Sequence, residues 1–531
     1  MMRPNFIDAR NNETINVGPR YIPACIHYEQ PTELASSTSM LARRCPQVQV
    51  HLHLREHSIA PIETIPPELL QHIFTFCLPE KAPHPEYLYH SLDLRGFTPR
   101  SAPLLLCQVN RLWRECAIAL PNLWSSLDVY VCMGKARPAL PLASVWIARS
   151  GSLPLSLALY QQNESNDNRD AAGEILDLYK GYIHRWANIQ FDLTGPRYCR
   201  LLTSEQRSAP MLQKFNMWTS YRIYEEEEKD LFGIFEYVPR LSQLSVSRIP
   251  DLTLAAESSI FIPWHQLVSL SLDYVPSIGT ALRIFEKCPE LRDASLKIDL
   301  IFGPLFREPV SHSLCSLTIN IGQEQVANFM DNLTLPKLTQ LAVYVRGPLD
   351  QYGWPQRSFG NFLKRSACHL LHFEMHDTGM RFDEFAACLS NPHLQTLERI
   401  IVEDRKDWTW DPFVTDLALD LLTCSSFMDK SALANYNALA TGFVPGANEV
   451  TRITSATCAL PNLEALTFRG NCLWTADGAV ADMVESRWRF NRKDVRRLRR
   501  VELELLSSHV EDFRRLKEFG SEGLELDLLF R

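Results

Sequence analysis

One phrase, Leu-x-x-Leu-x-Leu, recurs along the chain from residue 212 to residue 503 and restricts its fold more than any other feature. It reads Leu212-Gln-Lys-Phe-Asn-Met217, Leu241-Ser-Gln-Leu-Ser-Val246, Leu267-Val-Ser-Leu-Ser-Leu272, Leu291-Arg-Asp-Ala-Ser-Leu296, Leu314-Cys-Ser-Leu-Thr-Ile319 and Leu338-Thr-Gln-Leu-Ala-Val343. It returns at Leu370-Leu-His-Phe-Glu-Met375, Leu394-Gln-Thr-Leu397, Leu463-Glu-Ala-Leu-Thr-Phe468 and Leu498-Arg-Arg-Val-Glu-Leu503. From Leu241 to Leu267, Leu291, Leu314 and Leu338 the steps are 26, 24, 23 and 24 residues. The second and third apolar residues alternate with polar ones, as a half-buried strand requires.

Helical stretches separate the phrases at Thr280–Cys288, Val326–Leu333, Phe359–Cys368 and Phe382–Leu389. Short connectors, Cys288-Pro-Glu-Leu291, Leu335-Pro-Lys-Leu338 and Leu460-Pro-Asn-Leu463, carry helix ends into the next phrase. One strand and one helix per unit, at this period, is the leucine-rich-repeat pattern: a curved α/β solenoid with a parallel sheet on its concave side. The Asn usual at the ninth repeat position is replaced by Val275, Asp299 and Arg346, although Asn471 fits, so the repeats are irregular. Trp186–Phe191 and Leu153–Leu159 read as further strands, and Gln161–Asp170 as a polar loop. The 69 residues from Leu394 to Leu463 leave room for a hidden repeat and a loop, with Val414–Leu422 helical and Thr441–Ala447 a Gly/Pro-containing loop.

Ahead of the repeats stand two apolar blocks. The first, Ile65-Pro66-Pro67-Glu68-Leu69-Leu70 to Leu78-Pro79, predicts a helix: proline suits the first turn and Glu68 complements the macrodipole. Leu69, Leu70, Ile73, Phe74 and Cys77 recur at helical steps and form one apolar stripe. The second block, Ala102–Leu120, predicts a two-sided helix, one face for its bundle and the other for a partner, before Pro121-Asn122-Leu123-Trp124. With Leu105-Leu106-Cys107-Gln108-Val109-Asn110-Arg111-Leu112-Trp113-Arg114, this wording resembles the F-box, in particular the large fungal group in which an F-box precedes leucine-rich repeats. Ile65 stands for the usual Leu, and residues 80–100 insert a polar, His/Pro-rich stretch where that family has a short turn.

The resemblance implies a substrate-recognition subunit of a ubiquitin ligase. Its helices would dock a Skp-type adaptor and, through it, cullin and RING subunits, with Pro66, Leu69, Leu70, Ile73, Leu105, Val109 and Trp113 as contacts or their immediate support. Some of these seven residues serve the bundle interior instead, and Trp113 suits either role. A non-degradative scaffold, and a repeat protein whose F-box has lost its partner, are the other two readings. The expected organisation is an unstructured segment at 1–60, a helical domain at 61–125 and the repeat domain at 126–531.

In the repeat phrase, the residue between the second and third apolar positions and the residue after the third point out of the sheet. These include Asn216, Ser245, Ser247, Ser271, Ser295, Thr318, Ala342, Glu374, Thr467, Glu502 and Glu504. Trp218, Tyr344, His376 and Arg469 are the candidate substrate contacts, the two aromatics because exposed rings on a rigid sheet make interface anchors.

Composition narrows the remaining classes. A net charge of −8 opposes a general nucleic-acid binder. The basic tract Arg487–Arg500 is read as a solvated helix entering a strand, and Glu225–Glu228 as a solvated acidic face. Fourteen cysteines without a Cys-x-x-Cys pair suggest reduced thiols in a cytoplasmic or nuclear protein, and no metal centre. His51, His53 and His57 read as an amphipathic strand or loop rather than a metal site. No apolar run long enough to span a membrane and no secretory leader is seen, so Asn12, Asn163 and Asn332 are not expected to carry glycans. No glycine-rich phosphate loop, nucleophile elbow or zinc-protease motif occurs, so no catalytic residue and no cofactor are expected.

Overall fold

The computed structural model describes residues 65–78, 102–163, 165–194, 208–219, 233–247, 262–299, 309–347, 353–404, 413–424, 458–489 and 494–530. The chain divides into two compact units, Met1–Thr64 and Ile65–Arg531, and all described residues belong to the second. The expectations for 1–60, the histidines at 51–57, the insertion at 80–100, Glu225–Glu228 and Thr441–Ala447 fall outside the described residues.

The protein is a mixed α/β structure built on one large, mostly parallel sheet of fifteen strands, with twelve α-helices among the described residues. In spatial order the sheet begins with β2 (Lys135–Arg137), β1 (Ser126–Cys132), β3 (Leu155–Gln161), β4 (Trp186–Leu193), β5 (Lys214–Thr219), β6 (Gln243–Val246), β7 (Ser269–Val275) and β8 (Asp293–Ile298). It continues through β10 (Ser316–Gly322), β12 (Gln340–Arg346), β13 (His372–His376), β14 (Arg399–Asp404), β16 (Ala465–Gly470), β18 (Arg500–Leu505) and β19 (Glu525–Phe530). The β1–β2 pairing is antiparallel; the other neighbours run parallel. Two small two-stranded pairings stand apart, β9 (Val310–Ser311) with β11 (Leu333–Thr334) and β15 (Val414–Thr415) with β17 (Leu473–Trp474).

The repeated phrase sets this register. Its leading Leu closes a tight turn: Leu291 N–H donates to Cys288 O at 3.0 Å, Leu338 to Leu335 O at 3.2 Å and Leu463 to Leu460 O at 3.1 Å. The next residues meet the preceding strand, two successive amides donating to one carbonyl. Arg292 and Asp293 reach Val268 O, Cys315 and Ser316 reach Arg292 O, and Thr339 and Gln340 reach Cys315 O. Alternation then sends Leu244, Leu270, Ala294, Leu317, Leu341, Phe373, Ile400, Leu466 and Val501 to one buried face. Helices α6 (Ile278–Lys287), α7 (Gln323–Asp331), α8 (Gln356–Ser366) and α9 (Phe382–Leu389) match the predicted helical stretches within a few residues, and their apolar sides complete the same core.

Basic side chains cap the chain between neighbouring units. Arg365 of α8 donates to Met330 O and Leu333 O, at 2.6 and 2.7 Å, at the end of α7. Arg185 does the same for Leu153 O and Ser150 Oγ, after α4 (Leu140–Arg149). Each thereby ties together the polar backbone and side-chain groups of the turn that follows a helix.

Four expectations need correction. Ala102–Leu120 is not one helix: α2 (Leu106–Val109) stops at extended Asn110, whose side chain accepts Trp113 N–H at 2.8 Å and starts α3 (Arg111–Ile118). The phrase at Leu394 is displaced by three residues, because Leu397 holds the leading position and β14 carries Ile400 and Val402 inward. In the large sheet β14 and β16 pair directly, from Arg399↔Ala465 to Asp404↔Gly470, so the long interval adds no strand of a hidden repeat between them there. The expected polar loop is overtaken at both ends: β3 runs to Gln161, and Ser165 caps α5 (Asn166–Lys180).

Candidate functional site: a helical apolar patch and the open sheet face

The helical element preceding β1 is the first candidate. In α1 (Pro67–Phe76) the expected single stripe is split in two: Leu70 and Phe74 are fully buried, while Leu69 is 57% and Phe76 is 76% exposed. Ile73 is exposed on the same side as Leu69, one turn on. Leu105, Val109 and Ile118 add exposed apolar surface from the α2–α3 segment. Five of the seven predicted docking positions, Pro66, Leu69, Ile73, Leu105 and Val109, are therefore exposed, whereas Leu70 belongs to the core. Trp113 is half-buried, its ring 5.0 Å from that of Phe74, and acts as support. The sequence reading missed Phe76, although it lies three residues beyond Ile73 on the same helical line.

This element is held to the first repeat by Trp124. The indole is fully buried, donates from Nε1 to Ala117 O at 2.8 Å, meets Trp146 edge-to-face at 5.0 Å and lies under the Arg149 guanidinium at 4.5 Å. The exposed apolar side chains are thus carried on helices whose inner side is already packed.

The open face of the sheet is the second candidate. One row across adjacent strands reads Asn216, Ser245, Ser271, Ser295, Thr318 and Ala342 in register. These side chains are small, and a depression of about 230 Å³ lies over Asn216, Ser245, Ser271 and Ser295, lined also by Lys214, Gln243 and Ser269. Larger groups flank it. Tyr130 and Tyr160 stack at 4.7 Å on one side, in a row that continues to Asp192 and Trp218. Burial raises the Asp192 carboxyl to about 6. On the other side Tyr344 and His376, paired in register, stack at 4.0 Å and nearly parallel. His376 Nε2 stands 3.6 Å from Glu374 Oε2, and the ring holds that carboxyl below its usual range.

Trp218, Tyr344 and His376 all lie on this face and all are half-buried. Arg469 lies there too, but its guanidinium is engaged by Glu502 at 2.7 Å. Glu502 also takes Arg500, so this end of the face is an ion-pair lattice more than a set of waiting charges. Ser247, Ala342, Thr467, Glu502 and Glu504, expected to be exposed, are buried; Ser247 Oγ accepts the Thr219 amide.

The basic tract also departs from expectation. Arg487 is a core residue at the end of α11 (Ala479–Trp488), donating to Leu422 O and to Leu460 O and Ala459 O. Arg489 pairs with Glu485 and Glu522, Arg496 with Glu398 and Glu464, and Arg497 lies 3.5 Å over the Trp488 ring. Asp477, His509 and Asp512 bring ligand-type atoms within 4.8 Å of one another. Their bonds are those of a structural clasp: Asp477 accepts the Glu511 and Asp512 amides at the start of α12 (Val510–Ser521), and Asp512 accepts Ala481 N–H and faces His509 Nδ1 at 2.8 Å. No helix among the described residues is long and apolar enough to cross a membrane.

No protein-family model matches this chain, and no curated protein matches it.

Proposed function

We propose that this chain is the substrate-recognition subunit of a Skp–cullin–F-box type ubiquitin ligase. Its F-box helices dock the adaptor, and its leucine-rich-repeat solenoid presents the open, concave sheet face to a protein substrate. One observation carries the reading: the residues whose wording resembles the F-box leave Leu69, Ile73, Leu105 and Val109 exposed on packed helices. Isolated surface leucines are ordinary, but several exposed apolar side chains grouped on packed helices support an interaction surface. The receptor works by proximity: it holds the substrate beside a ubiquitin-conjugating enzyme brought by cullin and RING subunits, which raises effective concentration and needs no catalytic residue of its own. Such complexes place the protein in the cytoplasm or nucleus.

Co-expression with a Skp-type adaptor tests the reading. The unmutated chain and Trp218→Ala, altered only on the sheet face, should capture the adaptor; Leu69→Asp should lose it while keeping its circular dichroism spectrum. Absence of capture by the folded, unmutated chain would overturn the proposal. Capture without adaptor-dependent ubiquitination of a bound protein would favour a non-degradative scaffold.

A further inference from the structure

Two cysteines separated by 33 residues in sequence meet between α10 (Asp416–Leu422) and β16. Cys424 Sγ and Cys458 Sγ are 2.9 Å apart, and both residues are buried. The backbone holds them there: Ala459 N–H donates to Leu421 O at 2.8 Å, and Cys424 N–H to Ser486 Oγ at 3.0 Å. A disulfide bond of about 2.05 Å needs a further approach of only ~0.9 Å.

The charge around the pair is unusual. Arg487 is 1% exposed, and its donors go to three backbone carbonyls and, from Nη2 at 3.3 Å, to Cys458 Sγ. No carboxylate pairs with it among the described residues. A buried guanidinium favours an anion beside it, and the one neighbour on this list able to become anionic is the Cys458 thiol. Cys388 is a useful contrast, because burial without a neighbouring cation pushes its thiol up to about 12.

We propose that Cys458 and Cys424 form a peroxide-sensitive dithiol, with Cys458 as the attacking thiolate, Cys424 as the resolving thiol and Arg487 as the positioning residue. The Cys458 sulfur attacks one oxygen of hydrogen peroxide; the O–O bond breaks and hydroxide leaves, taking up the proton lost by the thiol to become water. The resulting sulfenic acid is attacked by the Cys424 sulfur: the S–S bond forms, the S–O bond breaks, and hydroxide leaves with the Cys424 proton as a second water. Two thiols are oxidised by two electrons and one peroxide is reduced to two waters. The product ties the end of α10 to the entrance of β16.

The full chain, reduced and then treated with a small excess of hydrogen peroxide, is alkylated and mapped without reduction. A peptide joining residues 424 and 458, reversed by dithiothreitol, is expected, with both thiols lost at least about ten-fold faster than Cys388. Cys424→Ser should leave Cys458 as a sulfenic acid that dimedone traps, Cys458→Ser should leave Cys424 unlabelled, and Arg487→Met should slow the loss about ten-fold. If Arg487→Met does not fold, dimedone labelling of the two serine variants decides the assignment. A joined peptide absent while half-exposed Cys315 is consumed, or dimedone on Cys424 in Cys458→Ser, would overturn it.

Discussion

Leu69 and Leu70 are neighbours in sequence, yet the structure assigns them opposite roles, and truncating each to alanine separates docking from folding. Leu69 retains 57% of its surface and Leu70 none. Full burial of a leucine side chain is worth roughly 1.5–3 kcal/mol, so covering the exposed half of Leu69 with an adaptor contributes about 1–1.5 kcal/mol. Leu69→Ala should therefore weaken adaptor binding about five- to ten-fold and leave folding stability within about 0.5 kcal/mol. Leu70→Ala opens a cavity beside Phe74 and should cost about 2–5 kcal/mol of folding stability.

Titration calorimetry with purified adaptor reads the first effect, and chemical denaturation of the isolated chain reads the second. A Leu69→Ala chain binding within two-fold of the original, with Ile73→Ala equally silent, would show that the exposed line does not face an adaptor. A larger stability loss for Leu69→Ala than for Leu70→Ala would instead mean that the helix is rotated from the position described.

Three other perturbations probe the repeat body. Gly470 has φ +75°, and a Cβ there would lie 1.8 Å from Asp404 O, so Gly470→Ala should lose about 2–4 kcal/mol in a denaturant titration; a change below 0.5 kcal/mol would deny the close approach of β14 and β16. Arg365→Met removes two short charge-assisted bonds to Met330 O and Leu333 O and should cost about 2 kcal/mol by the same measurement. Asp192 has a folded pKa raised from 3.8 to about 6 by burial, so the native state holds the proton more tightly than the unfolded one. Its stabilising contribution is full below about pH 4 and is lost as pH rises through about 6. Because the residue is only half-buried by surface area, the full conversion of that shift is discounted to about 1–2 kcal/mol. Asp192→Asn should gain that amount at pH 7 and nothing at pH 4, and equal gains at both would refute the linkage.

What was legible in the sequence is what repetition imposes locally. A leading Leu in a tight turn, two amides on the previous strand and alternating burial follow from six residues, and strands β5 to β8, β10, β12, β13, β16 and β18 lie where the phrase places them. The phrase is altered in the first units, where tryptophan stands in for leucine; β3 and β4 are legible from alternation alone, as the expected strands at Leu153–Leu159 and Trp186–Phe191, and β1 is not. By register Trp124 and Trp186 occupy the leading slot ahead of β1 and β4, and each indole donates to a carbonyl seven residues back, Ala117 O and Tyr179 O. The last strand escaped for the opposite reason: Gly523 fills that slot before β19, at φ +107°, and offers no side chain to recognise.

Other misses share one physical cause, which is distance along the chain. Arg487 reads as a surface charge in any window, since its acceptors lie 27 to 65 residues away; Cys458 meets Cys424 across 34 positions. The three-residue shift at Leu394 has a local cause, because Leu394 and Leu397 are both buried and a period of three fits turn and strand alike. The leading Leu and the inward positions are dictated by the stack and repeat in every unit, whereas outward positions such as Ser271, Lys297 and Tyr344 meet no such demand and differ from strand to strand. Whatever distinguishes one ligand of this sheet from another must therefore be written in the residues that the repeat leaves unspecified. Exchanging outward residues between strands should alter recognition while the register of the fold survives.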